Sequence, residues 1–323
     1  SFAPYGIPVA NGRFGGPIWE ADKATLSMQL NHTDTFMYND ASANSMDESG
    51  CLGQLYVDFQ DEVFCDNLIQ HLDLYKGLFT LKGDAIKIDV IACTDKDVVM
   101  MRVEDNRRLP KEITISLKCV RPLAVERNLF SAISVIEPDE RKREISLKQT
   151  FREECTTGIK TNTHICATRL SVSVEGRDNT LSEKNDEATL ILPAGNGDFT
   201  IVIKGQSVIN DIGIQKVSLD ELPEADSFAN EQAYSESWWA NFWEKSYVYL
   251  PDLSEYEMRW TYYMYLAAIA NRGQFPGKYN GCNWIAQGDR RDWGCWYWNW
   301  NQDSLFQPLN QANHMELMDP LFA

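Results

Sequence analysis

From about residue 18 to residue 215 the chain reads mostly as strand, in stretches of period-two alternation or β-branched runs, with no helical crossover between them. The stretches "ATLSMQLNHTDTFMY" (24–38), "GQLYVDF" (53–59), "VVMMRVED" (98–105), "EITISLKCV" (112–120), "TRLSVSVEG" (168–176), "EATLILPAG" (187–195) and "DFTIVIKGQ" (198–206) each show one or the other. Successive side chains of a strand point to opposite faces, so this pattern fits sheets buried on one side. Turn clusters such as "GNGD" (195–198) separate the strands. "GLFTLKGDAIKIDVIACT" (77–94) predicts a hairpin turning at Gly83 and Asp84, residue types that tolerate the positive φ of tight turns. Parallel strands would need helical crossovers between them, and none intervenes. The expected architecture is an antiparallel β-sandwich.

The pattern changes at "DELPEAD" (220–226), an acidic joint bearing a proline. "SFANEQAYSESWWANFWEKS" (227–246) then reads as a helix, with Trp238, Trp239, Phe242 and Trp243 forming an aromatic wedge between two domains. In "LPDLSEYEMRWTYYMYLAAIANRG" (250–273), Ser254 and Glu257 have the spacing of a capping box. Leu253, Tyr256, Trp260, Tyr263 and Ala267 follow the i, i+3, i+4, i+7 rhythm of a buried face, and Gly273 and Pro276 end the helix. Residues 274–298 read as a long loop, and loops of that length inside compact domains are usually functional. A further helix is expected from about Asp303 to Glu316.

Net charge is −17, with a pI near 4.7. A nucleic-acid binder needs a basic footprint to displace counterions, so that class is excluded, and anionic membrane surfaces are disfavoured for the same reason. No apolar run approaches the roughly 18 residues of a membrane span. The chain opens at "SFAPYG" without a methionine, which leaves room for a leader removed on export. A secreted or periplasmic location is expected. The eight cysteines include no C-x-x-C pair and read as free thiols, although Cys282 and Cys295 could close a loop. The four histidines keep no ligand spacing with them. Neither metal nor cofactor is implied.

Common catalytic signatures are missing: there is no G-x-S-x-G elbow, P-loop, dinucleotide fingerprint or H-E-x-x-H. "NGRFGG" (11–16) reads as a turn in which Arg13 fixes a strand edge. His32 and Asp34 of "HTD" have the types of an acid–base pair but lie in a strand-like segment, which favours a structural role. "QGDRRDWGCWYWNWNQD" (287–303) is different. Five of the ten tryptophans lie between Trp284 and Trp300, interleaved with amides and carboxylates. Such a seam is either core or a sugar site, where flat rings meet C–H faces and polar side chains meet hydroxyls. The candidate substrate-binding residues are Trp284, Asp292, Trp293, Trp296, Trp298, Trp300 and Asp303. Arg290 and Arg291 would lower the pKa of nearby aspartates, which makes Asp289, Asp292 and Asp303 poor general acids.

"PVANGRFGGPIW" (8–19), "HLDLYKGLFTLKGD" (71–84), "MRWTYYMYLAAIANRGQFPGKYNGCNW" (258–284) and "WNWNQDSLFQPLNQAN" (298–313) resemble, in order, phrases of glycoside hydrolase family 95, the α-L-fucosidase and α-L-galactosidase family. The resemblance implies a fold that is mainly β with α: an N-terminal antiparallel β-sandwich (1–219), a helical linker (220–252) and the beginning of an (α/α)6 barrel (253–323). It implies that Asn299 and Asn301 are catalytic, positioning and activating the hydrolytic water of an inverting mechanism. It further implies a glutamate general acid and a base-side aspartate beyond residue 323, and so a longer enzyme of which this chain is the N-terminal portion. Asp303, Leu305 and Gln307 stand where the family phrase has glutamine, asparagine and tryptophan. The bound sugar would therefore differ. The expected function is hydrolysis of α-linked oligo- or polysaccharides. The alternative is a non-catalytic carbohydrate-binding protein of the same architecture.

Overall fold

The structure is a computed structural model, and it describes residues 6–35, 46–48, 51–127, 130–157, 160–184, 187–210, 218–219, 221–277, 290–292 and 299–322. Two antiparallel sheets dominate it. In the seven-stranded sheet the strands run Ile7–Ala10, Phe14–Glu20, Thr25–His32, Gly53–Asp58, Ile113–Lys118, Glu187–Leu192 and Thr180–Lys184 from edge to edge. The nine-stranded sheet runs Ala124–Arg127, Phe130–Asp139, Glu144–Thr157, Lys160–Glu175, Gly197–Ile209, Val98–Asp105, Ile86–Ala92, Leu78–Lys82 and Ile69–Asp73. Burial alternates along the strands as the sequence pattern requires, for example buried Leu55 and Val57 flanking half-buried Tyr56. The inner faces meet in one core built from Phe14, Met28, Leu55, Phe79, Leu117, Leu147, Leu170 and Ile201, among others. Each such side chain contributes roughly 1.5–3 kcal/mol by leaving water. The expected sandwich is present, and the protein is mainly antiparallel β with a helical part.

The hairpin expected between residues 77 and 94 forms, with Lys82 opposite Lys87. Its left-handed residue is Ala85 (φ 54°), however, rather than Gly83 or Asp84. The Asp84 N–H is instead drawn to the carbonyl of Val63 at 2.7 Å.

Helix α1 (Phe228–Lys245) packs on the sandwich. The Ser227 hydroxyl caps the Asn230 N–H, and buried Glu231 accepts from Lys96 at 2.9 Å. Trp239, Phe242 and Trp243 are buried, and the Trp243 indole N–H donates to the Leu74 carbonyl at 3.1 Å. Gly77 lies directly under this patch. Its φ of 61° is left-handed, and a Cβ there would sit 2.0 Å from Nε1 of Trp239. Trp239, Phe242 and Trp243 thus form a buried aromatic patch between Leu74 of the sandwich and Tyr265 of the next helix.

Helix α2 (Ser254–Ala268) departs from expectation at its start and on its buried face. Ser254 is already helical and makes no cap, while Glu257 reaches back to the Leu250 N–H at 2.6 Å. Buried residues are Thr261, Met264, Tyr265, Ala267 and Ala268, whereas Leu253 and Tyr256 are exposed. Five of the ten residues from 256 to 265 are aromatic and two more are methionine, so the apolar stripe is wide and its packed centre is not marked by hydrophobicity alone. Tyr265 decides the orientation: fully buried, it stacks on Trp239 at 5.2 Å and donates to the Pro8 carbonyl at 2.9 Å. Helix α3 (Asn299–Gln311) begins four residues earlier than expected, and a 3-10 helix (Met315–Leu321) follows it.

Candidate functional site

Two polar networks join the sandwich to the segment after α2. Asp97, nearly buried, accepts from the Arg13 Nε at 2.9 Å and from the Asn11 amide at 3.2 Å, and it faces the His32 Nε2 at 3.2 Å. Burial raises its pKa, but the His32 contact and the Arg13 charge outweigh that and hold the carboxyl below the usual range. The other ring nitrogen of His32 accepts the Asp34 N–H at 3.1 Å. Asp34, itself buried, caps the backbone N–H groups of Gln274 and Phe275, each at 3.1 Å. His32 and Asp34 are thus struts of the scaffold, as the strand context suggested, while Arg13 ties the turn after Ile7–Ala10 to Asp97, just before Val98–Asp105 of the other sheet.

Beyond α2, Asn271 donates to the Ala267 carbonyl at 3.0 Å and accepts from the Gly277 N–H at 2.9 Å. The Gln302 amide donates to the Gly277 carbonyl at 3.0 Å, which ties α3 to the same turn. Arg272 donates to the carbonyls of Asn11 at 2.8 Å and Thr94 at 2.6 Å, with its guanidinium over the Trp238 ring at 4.1 Å. Gly12 makes this approach possible: its φ is 101°, and a Cβ would meet the Arg272 side chain at 2.5 Å. Burial, reinforced by the like charge of Arg13, brings the Arg272 pKa down to about 10.

Helix α3 buries Gln302, Phe306 and Leu309, with Ala312 buried just beyond its end, and turns much of its surface outward. Trp300 is 81% exposed, and Asn301 and Asp303 are exposed beside it. Trp300 and Asp303 are three residues apart and share a face, as do Trp300 and Ser304, whose hydroxyl donates to the Trp300 carbonyl at 3.1 Å. On the inner side, Tyr263 donates to the Leu305 carbonyl at 2.5 Å, and burial pushes its hydroxyl up to about 12.

Of the residues expected to bind or act on substrate, the structure brings together Trp300, Asn301 and Asp303, on the first turn of a helix rather than in a loop. Asn299 is the first residue of that helix, so positions 299 and 301 are about 200° apart around its axis and do not share a face. Asp292 belongs to a short strand, Arg290–Asp292, paired with Met46–Glu48. Trp284, Trp293, Trp296 and Trp298 lie outside the described residues, as do Cys282, Cys295 and Asp289. Cys51, Cys65, Cys93, Cys119 and Cys166 are free thiols. Arg272, Asn271 and Gln302 were not distinguishable as anchors in the sequence. The one available signal was a polar run, "NRGQ", immediately after a helix.

No family model matches the chain, and no curated protein does. Among solved structures, a chain described as a kojibiose phosphorylase from human microbiome matches with a TM-score of 0.35 and 12% identity, over 85% of this chain and 41% of that one. The present chain spans about two fifths of the length of that one. No helix among the described residues is long and apolar enough to cross a membrane.

Proposed function

We propose that this chain is part of a glycoside hydrolase acting on α-linked oligo- or polysaccharides, exported to the periplasm or the cell exterior, with the first turn of α3 forming one wall of the sugar site. The observation that carries this reading is the placement of Trp300, a residue 81% exposed on a helix next to Asn301 and Asp303. An indole is costly to hold in water unless something covers it, and a sugar ring face beside an amide and a carboxylate suits that surface. Residues 298–313, whose phrase resembles family 95, include this turn. In this reading residues 253–323 begin an (α/α)6 barrel, after a sandwich and a helical linker. Asn301 orients the attacking water on the solvent side, and Asn299 acts from the opposite side of the same turn. A general acid elsewhere in the enzyme protonates the leaving oxygen.

A second reading, a non-catalytic carbohydrate-binding protein, is favoured by one feature. Positions 303, 305 and 307, where the chain departs from the family phrase, are all exposed on α3. Incubation with a panel of α-linked oligosaccharides separates the two: the enzyme reading requires reducing sugar to accumulate, whereas saturable binding without release supports the second. Neither binding nor release contradicts both.

A further inference from the structure

A cavity of about 490 Å³ opens between α1, the turn after α2 and the 3-10 helix. Phe242, Leu317 and Pro320 give it apolar walls, and Asn241, Gln274 and Asp319 line it with side chains that make no hydrogen bond to the described protein. No residue of α3 lines it, so it is separate from the wall described above. Its charged lining groups are Lys245, Arg272, Glu316 and Asp319. Lys245 and Glu316 already neutralise one another at 2.7 Å. Arg272 has two main-chain carbonyls and an indole face as partners, and no Asp or Glu among the described residues pairs with it. A guanidinium has five donors in a fork that matches a carboxylate, and two carbonyls leave donors unused. The partly buried cation thus has no direct ion pair at the wall of a cavity large enough for a small saccharide; Asp95 acts on it only through space and is itself 3.6 Å from Lys96.

We propose that this cavity binds a carboxylate-bearing saccharide of the uronate type, its carboxylate pairing with Arg272 and its hydroxyls with Asn241, Gln274 and Asp319. A monoanion fits better than a phosphate dianion, because Asp319 opposes excess negative charge and Lys245 is already paired. Hydroxyls fit Asp319 as donors to its carboxylate. This assignment does not rest on the reading of α3.

Ligand-observed NMR titration of the full chain with D-glucuronate, D-glucose and inorganic phosphate tests it. Glucuronate should bind at least tenfold more tightly than either of the others, and Arg272→Gln should reduce it to the level of glucose. Because Arg272 also ties the sandwich to the helices, Asn241→Leu on the exposed rim provides the second variant. It should weaken glucuronate severalfold with an unchanged unfolding midpoint. Equal affinity for glucose and glucuronate, or no binding of glucuronate, overturns the proposal. Phosphate binding as tightly as glucuronate marks a general anion site and overturns the saccharide assignment. An affinity unaltered by Asn241→Leu places the ligand elsewhere, with the same consequence.

Discussion

Oδ1 of Asp34 accepts the backbone N–H of Phe275 at 3.1 Å, a contact spanning 241 residues of chain. Its other oxygen accepts from Gln274 at the same distance. One buried carboxylate from the sandwich therefore positions the turn to which Gln302 of α3 is tied through Gly277. The exposed turn bearing Trp300 and Asn301 is held through this chain of contacts.

Asp34→Ala should accordingly cost about 3 kcal/mol, because two charge-assisted bonds vanish and two backbone donors lose their partner. Asp34→Asn keeps one acceptor oxygen and should lose about half as much. Urea unfolding at constant m-value measures both. Equal stability of Asp34→Ala and the parent would mean that water replaces the carboxylate freely.

Gly77→Ala should destabilise by about 3 kcal/mol or more, combining a left-handed backbone with a Cβ placed against the Trp239 ring. Tryptophan fluorescence should shift along with the midpoint, since Trp239 must move from its stack on Tyr265.

Acid should weaken the protein through two carboxylates. Burial raises the pKa of Asp97, but His32 and Arg13 lower it further; burial likewise raises Glu231, but the Asp226 N–H and Lys96 outweigh it. Both folded values lie below the unfolded ones, near 3.9 for Asp and 4.3 for Glu. Their contribution is therefore complete above those unfolded values and is lost as pH falls through the folded ones. Unfolding free energy should fall below about pH 4, with a shallower slope in Asp97→Asn. An identical acid slope in that variant would contradict the assignment.

The sandwich was legible wherever one face of a strand is apolar and the other polar, as in residues 53–58 and 187–192. Phe130–Asp139 was not, because Phe130, Ala132 and Ile136 face inward while Ile133 and Val135 are exposed, which erases the alternation. The start of α3 was missed for a related reason. "WNWNQD" is rich in asparagine and aspartate, which favour turns and caps by competing for backbone groups. The buried Gln302, Phe306 and Leu309 nevertheless fix helix there. The partners of Asp34 and Arg272 could not be found by pattern, since they are backbone groups distant in sequence.

Trp300→Ala should leave stability within about 0.5 kcal/mol, as expected for an exposed side chain. The same substitution should abolish detectable binding of the α-linked oligosaccharide that the parent prefers. Retained affinity, read by ligand-observed NMR, would remove Trp300 from the sugar wall.

The central claim is tested most directly by the kinetics of Asn301→Ala in the enzyme as its source produces it, on the best α-linked oligosaccharide. Loss of a water-orienting group predicts a kcat lower by about 10²-fold or more, with KM changed little. An unchanged kcat would contradict the assignment of this helix turn to the catalytic site.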